Sequence, residues 1–351
     1  MTIDLPGTAG IASAQEVSSR LLDRFDALLF DLDGVVYVGP AAVAHAADVI
    51  ELARRSGVKC VFVTNNAARP PGDVADHLTG IAVAASAHDV VTSPQAAVSV
   101  LGQHVPDGSR VLVIGGAGIV EALTDRGYVP VRSLDDAPAA VMQGYSPDLT
   151  WRDLAEATFA VRSGLPWIVT NPDLTFPTPR GVAPGNGALA GIVASTVGRL
   201  PDAVAGKPEP PLLREAIART HAERPLMIGD RLDTDIAAGS RIGIPSLLVF
   251  TGVTTFSEVV SAIPAERPDF LGYDLRTLLE PYPEVRVADD RATCAGAEAR
   301  VVGHRIVVEP GNGDGPWDGL RATAALAWRL ADAGIVVDPS AAIDTLSVPR
   351  T

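Results

Sequence analysis

Two aspartates one residue apart close an apolar run in FDLDGVVYVG, where Asp31 and Asp33 follow LLF and the chain then breaks at Gly34. A second acidic strand end stands in MIGDRLDTD, which carries Asp230 and Asp235. Between the two in sequence lie a hydroxyl, Thr64 in VTNN, and an ammonium, Lys207 in AGKPEP. Carboxylates that converge on one site repel each other unless a cation sits among them, and oxygen-only ligands that keep several waters suit Mg²⁺. A hydroxyl, amides, an ammonium and a divalent cation are also what the oxygens of a phosphoryl group require, which leaves one Asp free to act as a nucleophile. Either Asp of the first pair read alone has a plainer use, since a strand-end Asp often caps a helix and Asp-Gly is a common turn. It is the set that points to chemistry.

The elements that must position these residues alternate. ALLFDLD, VKCVFVTNN, VLVIGG, AAVMQGY, LPWIVTNPD, PLMIGD and IPSLLVFTG read as buried strands. AVAHAADVIELARRSG, PPGDVADHLTGI, TWRDLAEATFAVRSG and LLREAIART read as helices. Such alternation predicts a doubly wound α/β core with a parallel sheet. Ligands of these sheets bind beyond the carboxyl ends of the strands. The polar residues there are Asp31 and Asp33, Thr64 to Asn66, Asn171 and Asp173, and Gly229 to Asp235, with Lys207 in a Gly/Pro-rich loop.

With 351 residues, 47% of them hydrophobic and 20% charged, the chain can bury a large core and is expected to form two or three domains. A net charge of −14 argues against a nucleic-acid or anionic-membrane partner, because either needs a basic face. An anionic substrate therefore needs local positive charge or a metal. Two cysteines, Cys60 and Cys294, make no disulfide framework and fit a reducing cytoplasm. The N-terminus lacks a basic start followed by an apolar segment, so no secretory signal is expected, and no stretch approaches a membrane span.

DLDGVV, VTNNAAR, GKPEP and GDRLDTDI, in that order, resemble the four motifs of the haloacid dehalogenase-like (HAD) phosphohydrolases. Within that superfamily the chain is most similar to the subgroup of phosphoglycolate, glycerol-phosphate and pyridoxal-phosphate phosphatases, over roughly residues 20 to 280. The resemblance implies a Rossmann-like HAD core formed by residues 1–98 and 201–280. Far more chain separates Thr64 from Lys207 than separates the other motifs, so an α/β cap domain is expected as an insert at 99–200.

The resemblance also implies roles. Asp31 would attack the phosphorus and form an aspartyl-phosphate, and Asp33 would act as general acid and then base. Mg²⁺ would be held by the Asp31 side chain, the Asp33 main-chain carbonyl and Asp230, with Asp235 orienting them. Thr64, Asn65, Asn66 and Lys207 would hold the phosphoryl oxygens. Asn171, Asp173 and Arg180, in the Pro- and Gly-rich segment TNPDLTFPTPRGVAPGNGAL, are candidate substrate contacts on a loop of the cap facing the core. The expected substrate is a small phosphorylated metabolite, with glycerol 3-phosphate first and 2-phosphoglycolate next. Pyridoxal-phosphate or nucleotide hydrolysis and a silent metabolite sensor are the alternatives. A homodimer paired through the cap is expected.

Other features carry less. VLVIGGAGIVEAL suggests a dinucleotide site, but Gly116-x-Gly118-x-x-Glu121 lacks the third glycine. The six histidines have no metal-ligand spacing, the four tryptophans read as packing residues, and the acidic surplus reads as a solvated face. Residues 281–351 lie outside the resemblance and predict a small α+β extension of two or three strands and an amphipathic helix, with GNGDGP as a break.

Overall fold

A computed structural model describes residues 19–178, 180–311 and 316–346. The N-terminal segment in which no secretory signal is expected lies outside the described residues except at its end, as does most of the GNGDGP break. The chain divides into two units, one of them Asp26–Leu275 and the other the residues before and after it.

In Asp26–Leu275 the apolar runs become strands in the order of the sequence. The first five are β1 (Ala27–Phe30), β2 (Tyr37–Val38), β3 (Ala41–Ala42), β4 (Lys59–Thr64) and β5 (Val90–Thr92). Next come β6 (Arg110–Ile114), β7 (Val129–Val131), β8 (Ala140–Gln143), β9 (Trp167–Val169), β10 (Thr175–Thr178), β11 (Gly181–Pro184) and β12 (Ala203–Val204). The last three are β13 (Pro225–Gly229), β14 (Ser246–Val249) and β15 (Phe270–Gly272). Six of them form one parallel sheet in the order β15-β14-β13-β1-β4-β5. Every residue of β1 and β13 is buried, as a central strand covered on both faces requires. The carboxyl ends of β1, β4 and β13 deliver Asp31, Thr64 and Asp230 to one edge of the sheet.

A second parallel sheet, β12-β9-β8-β6-β7, is built from the long stretch between Thr64 and Lys207. Its helices are signalled locally. Trp151–Arg162 starts at Thr150, whose backbone N–H and hydroxyl both donate to Asp153 Oδ2 at 2.7 Å. One apolar cluster contains residues of both sheets, among them Leu29, Val63, Val113, Met142 and Ile168, together with Ile119 of the helix Ala117–Asp125. The glycine run after β6 serves this packing. A Cβ on Gly118 would lie 2.7 Å from the Ala67 carbonyl oxygen, so the helix Ala117–Asp125 approaches that loop as only glycine allows.

The segment expected as loop holds an antiparallel hairpin, β10-β11, with Thr175 opposite Pro184 and Thr178 opposite Gly181. Thr, Phe and Val favour the extended form, and a two-stranded ladder consists of edges, where a proline without an N–H is tolerated. A smaller hairpin, β2-β3, follows the Asp33-Gly34 turn.

The other unit holds the 3₁₀ turn Leu21–Arg24, whose Leu21 N–H donates to Glu280 O at 2.8 Å. It also holds an antiparallel sheet of β16 (Val285–Val287), β17 (Arg291–Cys294), β18 (Ala297–Val302) and β19 (Arg305–Glu309). Four strands stand where two or three were expected, because the turn closed by Ala288 N–H on Arg291 O splits one polar run into two short strands. The amphipathic helix is Trp317–Asp332, burying Leu320, Ala324, Leu326 and Leu330, and a second helix, Ser340–Leu346, follows. Cys60 and Cys294 are buried and free. No helix among the described residues is long and apolar enough to cross a membrane.

Candidate active site

Beyond the carboxyl edge of the six-stranded sheet lies a cavity of about 320 Å³. Asp31, Asp33, Thr64, Asn65, Asn66, Asn171, Asp173, Lys207 and Asp230 all line it. Arg180 does not: it sits exposed at the tip of the β10-β11 hairpin, its N–H on Thr178 Oγ1. Asp235 stands just behind the lining and reaches the site through Lys207.

Lys207 is 2% exposed, and its ammonium touches Asp31 Oδ1 at 2.5 Å, Asp235 Oδ1 at 2.8 Å and the Val63 carbonyl at 3.3 Å. Burial opposes its charge, but Asp235 and Asp31 overcome that and hold it above the ordinary lysine range. The Asn65 amide bonds to both backbone groups of Lys207, and its Nδ2 also lies 3.1 Å from Asp173 Oδ2. The side chain of Asn65 is therefore committed to Lys207 and Asp173. Asn66 Oδ1 accepts from Ala68 N–H and shapes the turn after β4.

The acidic side of the cavity fits a cation. Carboxylate oxygens of Asp31, Asp230 and Asp235 lie within 4.8 Å of one another. Asp230 is anchored through Oδ2 by the Val253 N–H at 2.9 Å and through its carbonyl by Thr254 Oγ1 at 2.6 Å, while its buried Oδ1 has no hydrogen-bond partner. Burial pushes the Asp230 carboxyl up to about 8, helped by the charges of Asp235 and Asp31. Burial likewise raises Asp235 to about 6 against the pull of Lys207. Burial is also the main cause of the upward shifts of Asp31 and Asp33, opposed in both by Lys207. A buried oxygen cluster so short of positive charge is a hard-cation site, and a divalent ion with oxygen preference satisfies it.

Several lining residues escaped the sequence reading: Tyr145, Phe176, Asn186, Thr251 and Val253. Thr251 and Val253 follow β14, so the strand-end rule that found Asp31 reaches them too. Tyr145 follows β8 but is aromatic, and a search for polar residues passes over it. Asn186 begins the helix Asn186–Val197, and its place in the cavity depends on the hairpin before it.

Residues 28–129 match the haloacid dehalogenase-like hydrolase family and residues 204–278 match a HAD-hydrolase-like family, on either side of most of the insert. The chain is 42% identical over 258 residues to D-glycerol 3-phosphate phosphatase of Mycobacterium tuberculosis, covering 74% of this chain and 72% of that one. The chain belongs to the haloacid dehalogenase-like hydrolases. Among other members, an acid sugar phosphatase of Staphylococcus saprophyticus is 35% identical over 68% of this chain and 91% of its own. The crystal structure of the M. tuberculosis glycerol phosphate phosphatase in complex with magnesium matches with a TM-score of 0.82 at 37% identity, over 94% of this chain and 99% of that one. That coverage passes well beyond the stretch where the hydrolase motifs are read. A p-nitrophenyl phosphatase from Archaeoglobus fulgidus matches with a TM-score of 0.68 at 27% identity, over 73% of this chain and 98% of that one.

Proposed function

We propose that this hydrolase is a Mg²⁺-dependent phosphatase of small phosphomonoesters, with glycerol 3-phosphate the first candidate substrate and 2-phosphoglycolate the second. The observation that carries the reading is the convergence of Asp31, Thr64, Lys207 and Asp230 on one cavity, in a chain similar to two named phosphatases. Asp31 is the nucleophile: its carboxylate attacks phosphorus in line, forms an aspartyl-phosphate and releases the alcohol. Asp33 gives the leaving oxygen its proton and later takes one from the attacking water. A carboxyl held above its ordinary range by burial suits that exchange. Thr64 and Lys207 donate to the phosphoryl oxygens. Asn65, its amide spent on the Lys207 backbone, serves by fixing Lys207. Asp31, the Asp33 carbonyl and Asp230 would hold the Mg²⁺, with Asp235 fixing Lys207 beside them. The ion supplies charge neutralisation for the phosphoryl group.

The five-stranded sheet and its helices, essentially the insert at 99–200, act as the cap that covers the cavity and contributes Asn171 and Asp173 to it. The cap also offers a pairing surface for a homodimer, since Trp151, Phe159 and Ile192 are 80%, 56% and 51% exposed. Two free buried thiols fit a cytoplasmic enzyme. Phosphate release from glycerol 3-phosphate, 2-phosphoglycolate, pyridoxal phosphate and a nucleotide, each with Mg²⁺, tests the reading. Turnover of the first above the rest is expected, and no release from any of them leaves the silent sensor standing.

A further inference from the structure

Besides Asp230 Oδ1, two buried acceptors on residues of the cavity lining lack donors. Asn171 Oδ1 and Asn186 Oδ1 have no hydrogen-bond partner, although their residues are only 3% and 1% exposed. Their orientation is fixed by the other end of each amide: Asn186 Nδ2 donates to the Asn171 carbonyl at 2.9 Å, and Asn171 Nδ2 donates to the Asn65 carbonyl. Turning either amide over would set oxygen against oxygen, so the free ends are oxygens. A buried acceptor left without a donor is costly, and a ligand that brings O–H groups removes the cost.

The rest of the lining points the same way. Tyr145 and Phe176 stack with ring centroids 4.7 Å apart, offering flat apolar faces to C–H groups. Lys207 and Arg231 are the cations of the lining. Lys207 is held by Asp31 and Asp235, and Arg231 by Asp233 at 2.8 Å. Among the described lining residues Lys207 is taken by the phosphoryl group and Arg231 by Asp233, so neither is left for a second anion, and Asp173 adds a further carboxylate.

We infer that the cavity selects the leaving group as a polyol, whose hydroxyls donate to Asn186 and Asn171 and whose C–H faces lie on Tyr145 and Phe176, and that it rejects a leaving group ending in a carboxylate. The inference rests on the phosphatase reading and sharpens it, because it separates glycerol 3-phosphate from 2-phosphoglycolate. Asn186 becomes a specificity residue. A site built to bond a hydroxyl discriminates against an analogue that lacks it, since its own polar groups then stay unpaired.

The test compares kcat/KM of the full chain, with Mg²⁺, for glycerol 3-phosphate, 1-propyl phosphate and 2-phosphoglycolate, and repeats it with Asn186→Ala. The unaltered enzyme is expected to prefer glycerol 3-phosphate over each of the others by at least about tenfold. In Asn186→Ala that advantage over propyl phosphate should shrink by about tenfold. Equal turnover of propyl and glycerol phosphates by the unaltered enzyme overturns the inference without touching the phosphatase reading, and so does a preference for phosphoglycolate. A variant that loses both esters in equal measure assigns Asn186 a structural role and also overturns it. Release of phosphate from none of the three overturns the phosphatase reading, and the inference with it.

Discussion

The side-chain amide of Asn65 bonds both backbone groups of Lys207: Oδ1 accepts from the Lys207 N–H at 2.8 Å, and Nδ2 donates to the Lys207 carbonyl at 2.9 Å. The residue after β4 thus fixes Lys207, three residues beyond β12, and with it the ammonium that meets Asp31 and Asp235. Asn65→Ala removes both bonds and leaves buried backbone groups unpaired, at a cost of about 1–3 kcal/mol. A lower melting temperature and a fall in kcat/KM should appear together. A variant that melts like the parent and turns over at the parental rate would show that Lys207 is held by other means.

The nucleophile can be separated from the fold. Asn matches Asp31 in size and keeps a polar group beside Lys207, whose ammonium retains Asp235 at 2.8 Å. Asp31→Asn should therefore stay folded and lose at least about 10³-fold in kcat. Near-parental turnover in a folded Asp31→Asn would place the nucleophile elsewhere.

How far the sequence disclosed this site depends on what positions each residue. Asp31, Thr64 and Asp230 were legible because each ends or follows an apolar run that becomes a parallel strand, and topology alone gathers strand ends. Lys207 lies in a loop, and it was legible only as part of a motif set. The apposition of Asn171 and Asn186 was not, because it depends on the β10-β11 hairpin returning the chain on itself, and a proline-rich run reads locally as loop. Arg180 shows the converse: its segment does reach the cavity, but the hairpin carries that residue to the exposed tip.

The metal assignment predicts a binding phenotype independent of turnover. Asp230 is enclosed so closely that a Cβ on Gly252 would stand 1.9 Å from its Oδ2. Gly252→Ala should push the carboxylate off its place, and Asp230→Asn should remove its charge. In both, calorimetric titration should show Mg²⁺ binding weakened by about tenfold or more, since a charged oxygen ligand is lost or misplaced. In the unaltered enzyme EDTA should abolish phosphate release and Mg²⁺ restore it, whereas Ca²⁺, with its longer and looser coordination, should support little. Full activity in chelator would remove the ion from the reaction.

The cap surface makes a prediction about assembly. Trp151 and Phe159 lie about two turns apart on the helix Trp151–Arg162, and Ile192 stands on Asn186–Val197 in the same sheet's helical layer. Large apolar side chains so exposed cost solvation in a monomer and lose that cost when a second copy covers them. Light scattering on the full chain should give the mass of a dimer, and the double variant Trp151→Glu/Phe159→Glu should give that of a monomer, because two carboxylates per copy would be buried against their like. Neither residue lines the cavity, so phosphate release by the monomeric variant isolates what pairing contributes to cap closure. A monomer in the unaltered chain rejects pairing, and a dimer that survives both substitutions moves the interface away from this face.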